Sequence, residues 1–330
     1  MNDFRELPAE ELYAGLLLTL LGQEPHLSRS DVSALSGVDS DRARELWQSL
    51  GFPPATDEDA VLFVDADVEA LRALEKLLNL GMIDQQAESA ISRTVGRTFA
   101  RLAEWEIAEL ADTVLKDAPE VDLTLLQAVA DELLPVMEQV HSHIWRRHLV
   151  SAAGRLLVRG SPEESVPLSV GFVDVVGYTR RTRSMSTDEL ERMVEVFEQV
   201  TTATVVEHGG RVIKTIGDEV LFVCDDPDGA AQIALALAER HDTDEEFPQV
   251  RCGLGHGEVL ERYGDVFGEP VNIAARLTSL ARPGRVLINR ALADVVDHDQ
   301  LRVRRWRIVP VKGYTRLEAW SLRRPRPARE

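Results

Sequence analysis

Residues 211–224 read RVIKTIGDEVLFVC, and they decide how the second half of this 330-residue chain folds. Two β-rich runs flank Gly217-Asp218. That junction reads as a tight hairpin with Asp218 at its tip, because glycine supplies the backbone conformations that a two-residue turn requires. Lys214 lies four residues before Asp218, on the first strand of the pair.

Upstream, residues 168–179 read LSVGFVDVVGYT. A short apolar run ending in Asp174 and a Gly177 turn is the pattern of a buried strand with a carboxylate at its exit. Two hard carboxylates on adjacent strands suit Mg²⁺ or Mn²⁺, which prefer oxygen ligands and keep positions free for phosphate. Downstream, residues 264–276 read GDVFGEPVNIAAR, a turn leading into a helix. Asn272 and Arg276 are four residues apart and share one helical face, close enough to hold a single ligand. Asp265 precedes that helix. Taken singly, each feature has an ordinary reading: a turn, a solvated carboxylate, a lysine snorkelling from a strand. Together, within about a hundred residues, they read as a nucleotide site.

The rest of this half fits an α+β sheet. Ser186 and Glu189 can start a helix as a capping box. Leu190, Met193, Val194, Phe197 and Thr201 recur at intervals of three and four, and Gly209-Gly210 ends the run. An Ala/Leu-rich helix follows from about 227 to 240. A strand over 249–256, a helix after Pro270, a strand over 285–289 and late strands near 302–309 and 316–321 complete the half. Helices are expected on one face of the sheet, as in a ferredoxin-like core.

Residues 165–322 resemble the catalytic domain of class III nucleotidyl cyclases. The motifs that carry the resemblance are FVDVVGYT, KTIGDEVLF and GDVFGEPVNIAAR, in the family's order. The resemblance implies that Asp174 and Asp218 bind two metal ions per active site, Mg²⁺ or Mn²⁺, with the Val175 carbonyl as a further ligand. It implies that Lys214 and Asp265 recognise adenine, that Asn272 orients the ribose, and that Arg276 stabilises the transition state. Lys312, in PVKGYT, matches a lysine that holds the triphosphate. The implied function is adenylate cyclase, making 3′,5′-cyclic AMP and pyrophosphate from ATP by two-metal catalysis. Adenine presents an N6 donor and an N1 acceptor, which suit an ionised Asp265 and Lys214, whereas guanine reverses that edge. The alternatives are a nucleotide-binding pseudoenzyme, a guanylyl cyclase and a DNA-binding regulator with a cyclase-like sensor.

In this family the metal aspartates and the base-reading residues of one site come from different subunits, so a homodimer with composite sites is expected. The segment between Gly257 and Asp265 is short, which resembles the compact-arm subgroup of bacterial soluble cyclases. Arg262 is the nearest candidate there for a phosphate-contacting arginine.

The net charge of −19 argues against a nucleic-acid or anionic-membrane binder. Residues 1–160 carry 14 basic and 28 acidic side chains, while residues 161–330 carry 23 and 28. The acidity therefore lies outside the half that must bind a nucleotide. The longest apolar stretch, 12–21, is far short of the roughly 20 residues a spanning helix needs, and no signal peptide is evident. Two cysteines, Cys224 and Cys252, read as buried thiols, and a cytoplasmic location is expected.

Residues 1–158 read as an all-α regulatory domain. Residues 29–50 have the rhythm of a helix-turn-helix, yet residues 28–67 hold three arginines against nine acids, so a packing module is the better reading. Periodic apolar residues (Leu71, Leu74, Leu77, Leu78, then Val95, Phe99, Leu102, Ile107, Leu110) need a partner within the domain or across a dimer. A hydrophobic ligand in a helical pocket is the alternative to a plain core. A connector helix over 121–158, with a bend at Pro135, leads to a hinge at 159–164, and residues 323–330 read as a flexible tail. The connector holds His141, His143 and His148, and histidine changes charge near neutral pH. Some soluble bacterial cyclases that this chain resembles pair such a domain with a response to acidity. An autoinhibitory, pH-sensing role is therefore expected, with these histidines as the switch.

Overall fold

The computed structural model describes residues 9–53, 57, 59–81, 83–114, 123–159, 165–311 and 314–325. The chain divides into two compact units, Met1–Gly154 and Arg155–Glu330.

The first unit is helical: α1 Ala9–Leu21, α2 Arg29–Ser36, α3 Ser40–Ser49, α4 Asp65–Asn79 and α5 Gln85–Val114. A long α6, Leu123–Arg159, keeps Pro135 in its interior and runs past the division between the units. Ser28 forms a capping box with Asp31, and Gly37 ends α2 in the left-handed region at φ 76°. Asp39 then caps α3, which completes the helix-turn-helix expected over 29–50. Its inner residues Val32, Val38, Ala43 and Leu46 pack with Phe63, Val68 and Leu71. Both arginines of α3 sit on acids: Arg42 on Glu75 (2.5 Å) and Glu88 (2.9 Å), Arg44 on Asp41 (2.8 Å). Their charge is already matched, as suits a packing module more than a phosphate-contacting helix. A small apolar cavity lies among Val32, Trp47, Phe63 and Leu71.

The apolar periodicity of α5 is only partly satisfied within one chain: Phe99 stays 57% and Ile107 55% exposed. Among the described residues no helix is long and apolar enough to cross a membrane.

The second unit opens with β1 Val166–Val175, a short α7 Tyr178–Arg181 and α8 Thr187–Glu207. Ser186 and Glu189 form the expected capping box on α8, which buries Met193, Phe197, Thr201 and Val205. The hairpin β2 Gly210–Ile216 and β3 Glu219–Cys224 follows, then α9 Pro227–Arg240, β4 Val250–Arg262 and β5 Asp265–Phe267. The chain continues through α10 Glu269–Leu280, β6 Val286–Ile288, α11 Arg290–Val295, β7 Arg302–Val311 and β8 Tyr314–Arg323. The sheet runs β2-β3-β1-β4-β6-β8-β7, with β5 paired only to the end of β4. Neighbouring strands are antiparallel except β4 and β6.

One expectation is corrected here: the helices do not all lie on one face. Val173, Phe222 and Cys252 pack with α8, α9 and α11, whereas Leu168, Val170, Phe172 and Leu221 pack with Ala274 of α10 on the other. The period of two along β4 explains this. Gly253 and Gly255 alternate with the buried Cys252 and Leu254, and they clear the way for α10. A Cβ at Gly253 would stand 2.2 Å from the Thr278 amide nitrogen, and one at Gly255 would stand 2.3 Å from the Pro270 carbonyl. α10 therefore rests directly on the strand backbone.

Cys224 and Cys252 are buried free thiols, and burial pushes both up from the ordinary thiol range. At the C-terminus Arg323 closes β8, and Arg324 donates to Glu239 (2.7 Å) and Gln232 (2.9 Å) on α9. The start of the expected tail is thus tied to the fold; residues 326–330, and residues 160–164 of the expected hinge, lie outside the described residues.

Candidate active site

The site assembles on the α10 face of the sheet. Asp174 sits at the exit of β1, paired in register with Glu219 on β3 and with Arg251 on β4. The Val175 amide donates to the Asp218 carbonyl (3.1 Å), which pins the hairpin tip against that exit. Gly217 at φ 63° makes the turn that places Asp218 there. Sequence reasoning named Asp174 and Asp218, and the structure brings them together.

It missed their two neighbours. Arg251 Nε donates to Asp174 Oδ2 (2.5 Å), and Arg251 Nη1 donates to the Ser279 carbonyl (3.2 Å) on α10. Glu219 lies close to Asp174, Asp218 and Arg251. Burial raises the pKa of Asp174, against the pull of Arg251 and with the added repulsion of Asp218. Glu219 is pushed up to about 7 by burial, then by Asp174 and Asp218. Nothing local to either strand marks them: Glu219 and Arg251 become partners of Asp174 through cross-strand register.

The corner is short of positive charge, as an oxygen-ligand cation site would be. Among the described residues no three His, Cys, Asp or Glu side chains converge as a ready cage. A cation at this corner could be held by the Asp174 and Asp218 carboxylates with the Val175 carbonyl. That suits ions such as Mg²⁺, which take one or two carboxylates and fill the remaining positions with substrate phosphates and water.

On β2, Lys214 donates to the Asp265 carboxylate on β5. Asp265 does not merely precede the helix as expected. It starts a strand, because the turn at Tyr263 (φ 56°) and Gly264 (φ 74°) folds β5 back along β4. Asn272 and Arg276 both project from α10 into solvent. The Asn272 amide reaches the Gly268 carbonyl at 3.4 Å, and Arg276 makes no hydrogen bond or ion pair among the described residues. Arg262 of the short arm lies over its neighbour Tyr263, 5.0 Å from the ring centroid. Lys312 lies outside the described residues.

The three connector histidines separate. His141 Nε2 meets Glu106 Oε1 of α5 at 2.7 Å and is half-buried. His143 and His148 are exposed on α6.

Residues 161–324 match the family described as the adenylate and guanylate cyclase catalytic domain. Residues 10–152 match the adenylate cyclase regulatory domain. The chain is 40% identical over 280 residues to an adenylate cyclase of Streptomyces coelicolor, covering 83% of this chain and 73% of that protein. An adenylate cyclase of Glutamicibacter nicotianae is 34% identical over 329 residues, covering 94% and 81%. A pH-sensitive adenylate cyclase of Mycobacterium tuberculosis is 30% identical over 292 residues, covering 83% and 72%. With a regulatory and a catalytic domain both matched, and relatives aligned over most of their length, the chain belongs to the adenylate cyclase family of enzymes.

Proposed function

We propose that two copies of this chain convert ATP to 3′,5′-cyclic AMP and pyrophosphate at active sites they share, under control of the helical N-terminal unit. The observation that carries the reading is the Lys214–Asp265 ion pair. It holds a donor and an acceptor side by side, on the face of the sheet that also carries Asp174. Asp265 accepts from the adenine N6 amino group and Lys214 donates to N1, whereas guanine would set its O6 against a carboxylate.

Two divalent cations, Mg²⁺ or Mn²⁺, held by Asp174, Asp218 and the Val175 carbonyl, would lower the pKa of the ribose 3′-hydroxyl and neutralise the leaving pyrophosphate. The chain's own residues do the positioning. Asn272 holds the ribose so that the 3′-oxygen lies in line with the α-phosphorus. Arg276 meets the charge that builds on the non-bridging oxygens; removing such a donor costs roughly two to three decades in rate. Lys312 neutralises the triphosphate. That Arg276 is exposed and makes no hydrogen bond or ion pair among the described residues favours a ligand from outside the chain's own fold.

Composite sites are supported by the exposure of Asn272 and Arg276 and by the apolar side chains that α5 leaves uncovered. Support for control by acidity comes from the contact of His141 with Glu106 and from the regulatory-domain match shared with a relative named as pH-sensitive. Protonation of His141 would change the charge at the α5–α6 contact, biasing the unit between two packings.

The test is direct: purified full-length chain with ATP or GTP, and Mn²⁺ or Mg²⁺, at several pH values. Metal-dependent cyclic AMP and pyrophosphate are expected. Binding of ATP and Mn²⁺ without pyrophosphate release would mark a pseudoenzyme, and preferential cyclic GMP would mark a guanylyl cyclase.

A further inference from the structure

The edge of the sheet farthest from the hairpin collects positive charge on one face. β7 opens with RVRRWR, residues 302–307, in a chain whose net charge is −19. Register places Arg302 opposite Arg323 and Arg304 opposite Ser321. The alternate pair, Val303 and Leu322, packs into the core shared with α9, and Arg324 is tied to α9 through Glu239 (2.7 Å) and Gln232 (2.9 Å). With β8 fixed that way, Arg302, Arg304, Ser321 and Arg323 turn to the opposite face. Together with Arg305 and Trp306 they line a cavity of about 230 Å³. Trp306 stands where the β7 register shifts, and its ring packs on the small core of Leu287, Leu317 and Ala319. Four of the six lining residues are arginines and none is acidic.

Such an arrangement costs the fold something. Like charges directly opposite on paired strands repel, as Arg302 and Arg323 do, and Arg304 is the diagonal neighbour of Arg323. Charges on an edge strand deter pairing with other strands. Arg305, held by Glu318 at 3.0 Å, is enough for that. It does not require three guanidiniums turned onto one face around a hollow. Arg304 and Arg323 are exposed and make no hydrogen bond or ion pair among the described residues. An anion seated among them relieves the repulsion. Guanidinium forks match phosphate oxygens, and the Ser321 hydroxyl adds a donor.

We propose that this hollow is a second anion site, which binds a chain of two or three phosphates, free or carried by a nucleotide. Its volume is below the roughly 300–1,000 Å³ of pockets that enclose a whole ligand, and suits the phosphates alone. It lies apart from the candidate active site: four strand spacings, roughly 19 Å, separate β7 from β1 and Asp174. Lys312 follows the other end of β7, ten residues or roughly 30 Å of strand from Arg302. The proposal therefore stands independently of the cyclase reading. A nucleic-acid backbone offers the same oxygens, but a long polyanion meets the repulsion of the whole acidic chain, whereas a short one meets mainly the local field.

The experiment uses the full-length chain in EDTA with inorganic tripolyphosphate as probe, followed by calorimetry and by the melting point, which a ligand of the folded state raises. In the double variant Arg304→Gln with Arg323→Gln, affinity is expected to fall on the order of tenfold or more. Its ligand-free melting point should be at or above that of wild type, because repulsion has been removed. Arg276→Ala should keep the wild-type affinity. In that background, tighter binding of GTP than of tripolyphosphate would identify a nucleotide as the source, with Trp306 beside the phosphates; equal or weaker binding would identify the free phosphate chain. Unchanged affinity in the double variant, or a loss in Arg276→Ala instead, overturns the proposal. So does a lower ligand-free melting point in the double variant, which would show the two arginines already engaged within the fold. A DNA duplex bound more tightly than tripolyphosphate would also overturn it, in favour of a nucleic-acid surface.

Discussion

The Lys214 ammonium donates to the Asp265 carboxylate across 51 residues of sequence, joining the edge strand β2 to the short strand β5. Each side chain is partly exposed, at 40% and 29%, so an incoming base can compete for both. Asp265→Asn keeps the volume and removes the anion. It places an amide where N6 must donate, so ATP kcat/KM should fall by about 1–3 kcal/mol, or roughly five- to 150-fold. GTP turnover should fall far less, narrowing the preference. Parallel kcat/KM measurements for both nucleotides decide it, and an unchanged ATP:GTP ratio would remove Asp265 from base selection.

Gly253→Ala tests whether α10 must lie on the strand backbone. The added Cβ would stand 2.2 Å from the Thr278 amide and 2.5 Å from the Ala274 carbonyl, neither of which can swing aside. Overpacking of this kind costs about 1–3 kcal/mol, and the displaced helix carries Asn272 and Arg276. The melting point should drop, and kcat should drop more than the remaining folded fraction explains. A protein of normal stability and rate would show that α10 tolerates the shift.

His256 gives the catalytic unit an acid-sensitive stability of its own. Its Nδ1 meets the fully buried Ser169 hydroxyl at 3.0 Å. Burial lowers the His256 pKa, with Glu258 opposing. The unfolded chain therefore binds a proton at higher pH than the folded one, so stability is full above about 6.5 and declines as pH falls through the folded pKa. Thermal midpoints from pH 7.5 to 5.5 should decline in wild type and decline less in His256→Gln. Identical declines would assign the acid sensitivity elsewhere.

That background matters for the proposed regulatory contact of His141 with Glu106. Glu106→Gln leaves His141 without its carboxylate and leaves His256 untouched. The ratio of cyclase activity at pH 6 to that at pH 8 should change by about fivefold or more, the lower range of allosteric coupling. A superimposable pH–rate profile would remove this contact from any response to acidity.

How much of this was legible in the sequence varies with the physics. The hairpin around Gly217-Asp218, the Ser186–Glu189 cap and the α2–α3 turn at Gly37 are local, and each was readable because a few adjacent residues determine it. The side of the sheet taken by α10 was not, because it depends on Gly253 and Gly255 meeting a helix that starts more than a turn downstream. Glu219 and Arg251 escaped notice for a related reason. Each is an ordinary charged residue on its own strand, and only the register of β1 with β3 and β4 places both beside Asp174. The resemblance named the residues expected to meet the nucleotide; the strand pairing shows which of them are held, and by what.

The most direct test of the shared site mixes two inactive proteins. On the proposed reading Asp174→Ala lacks a metal carboxylate and Arg276→Ala lacks the transition-state cation, so each homodimer is defective at both of its sites. In a heterodimer both lesions fall in one site, and the other is wild type throughout. The expected result is that cyclic AMP formation, nearly absent in either protein alone, returns on mixing toward about a quarter of the wild-type rate per total protein, as random pairing requires. No recovery, with subunit exchange demonstrated in the same mixture, would contradict a site built from two chains.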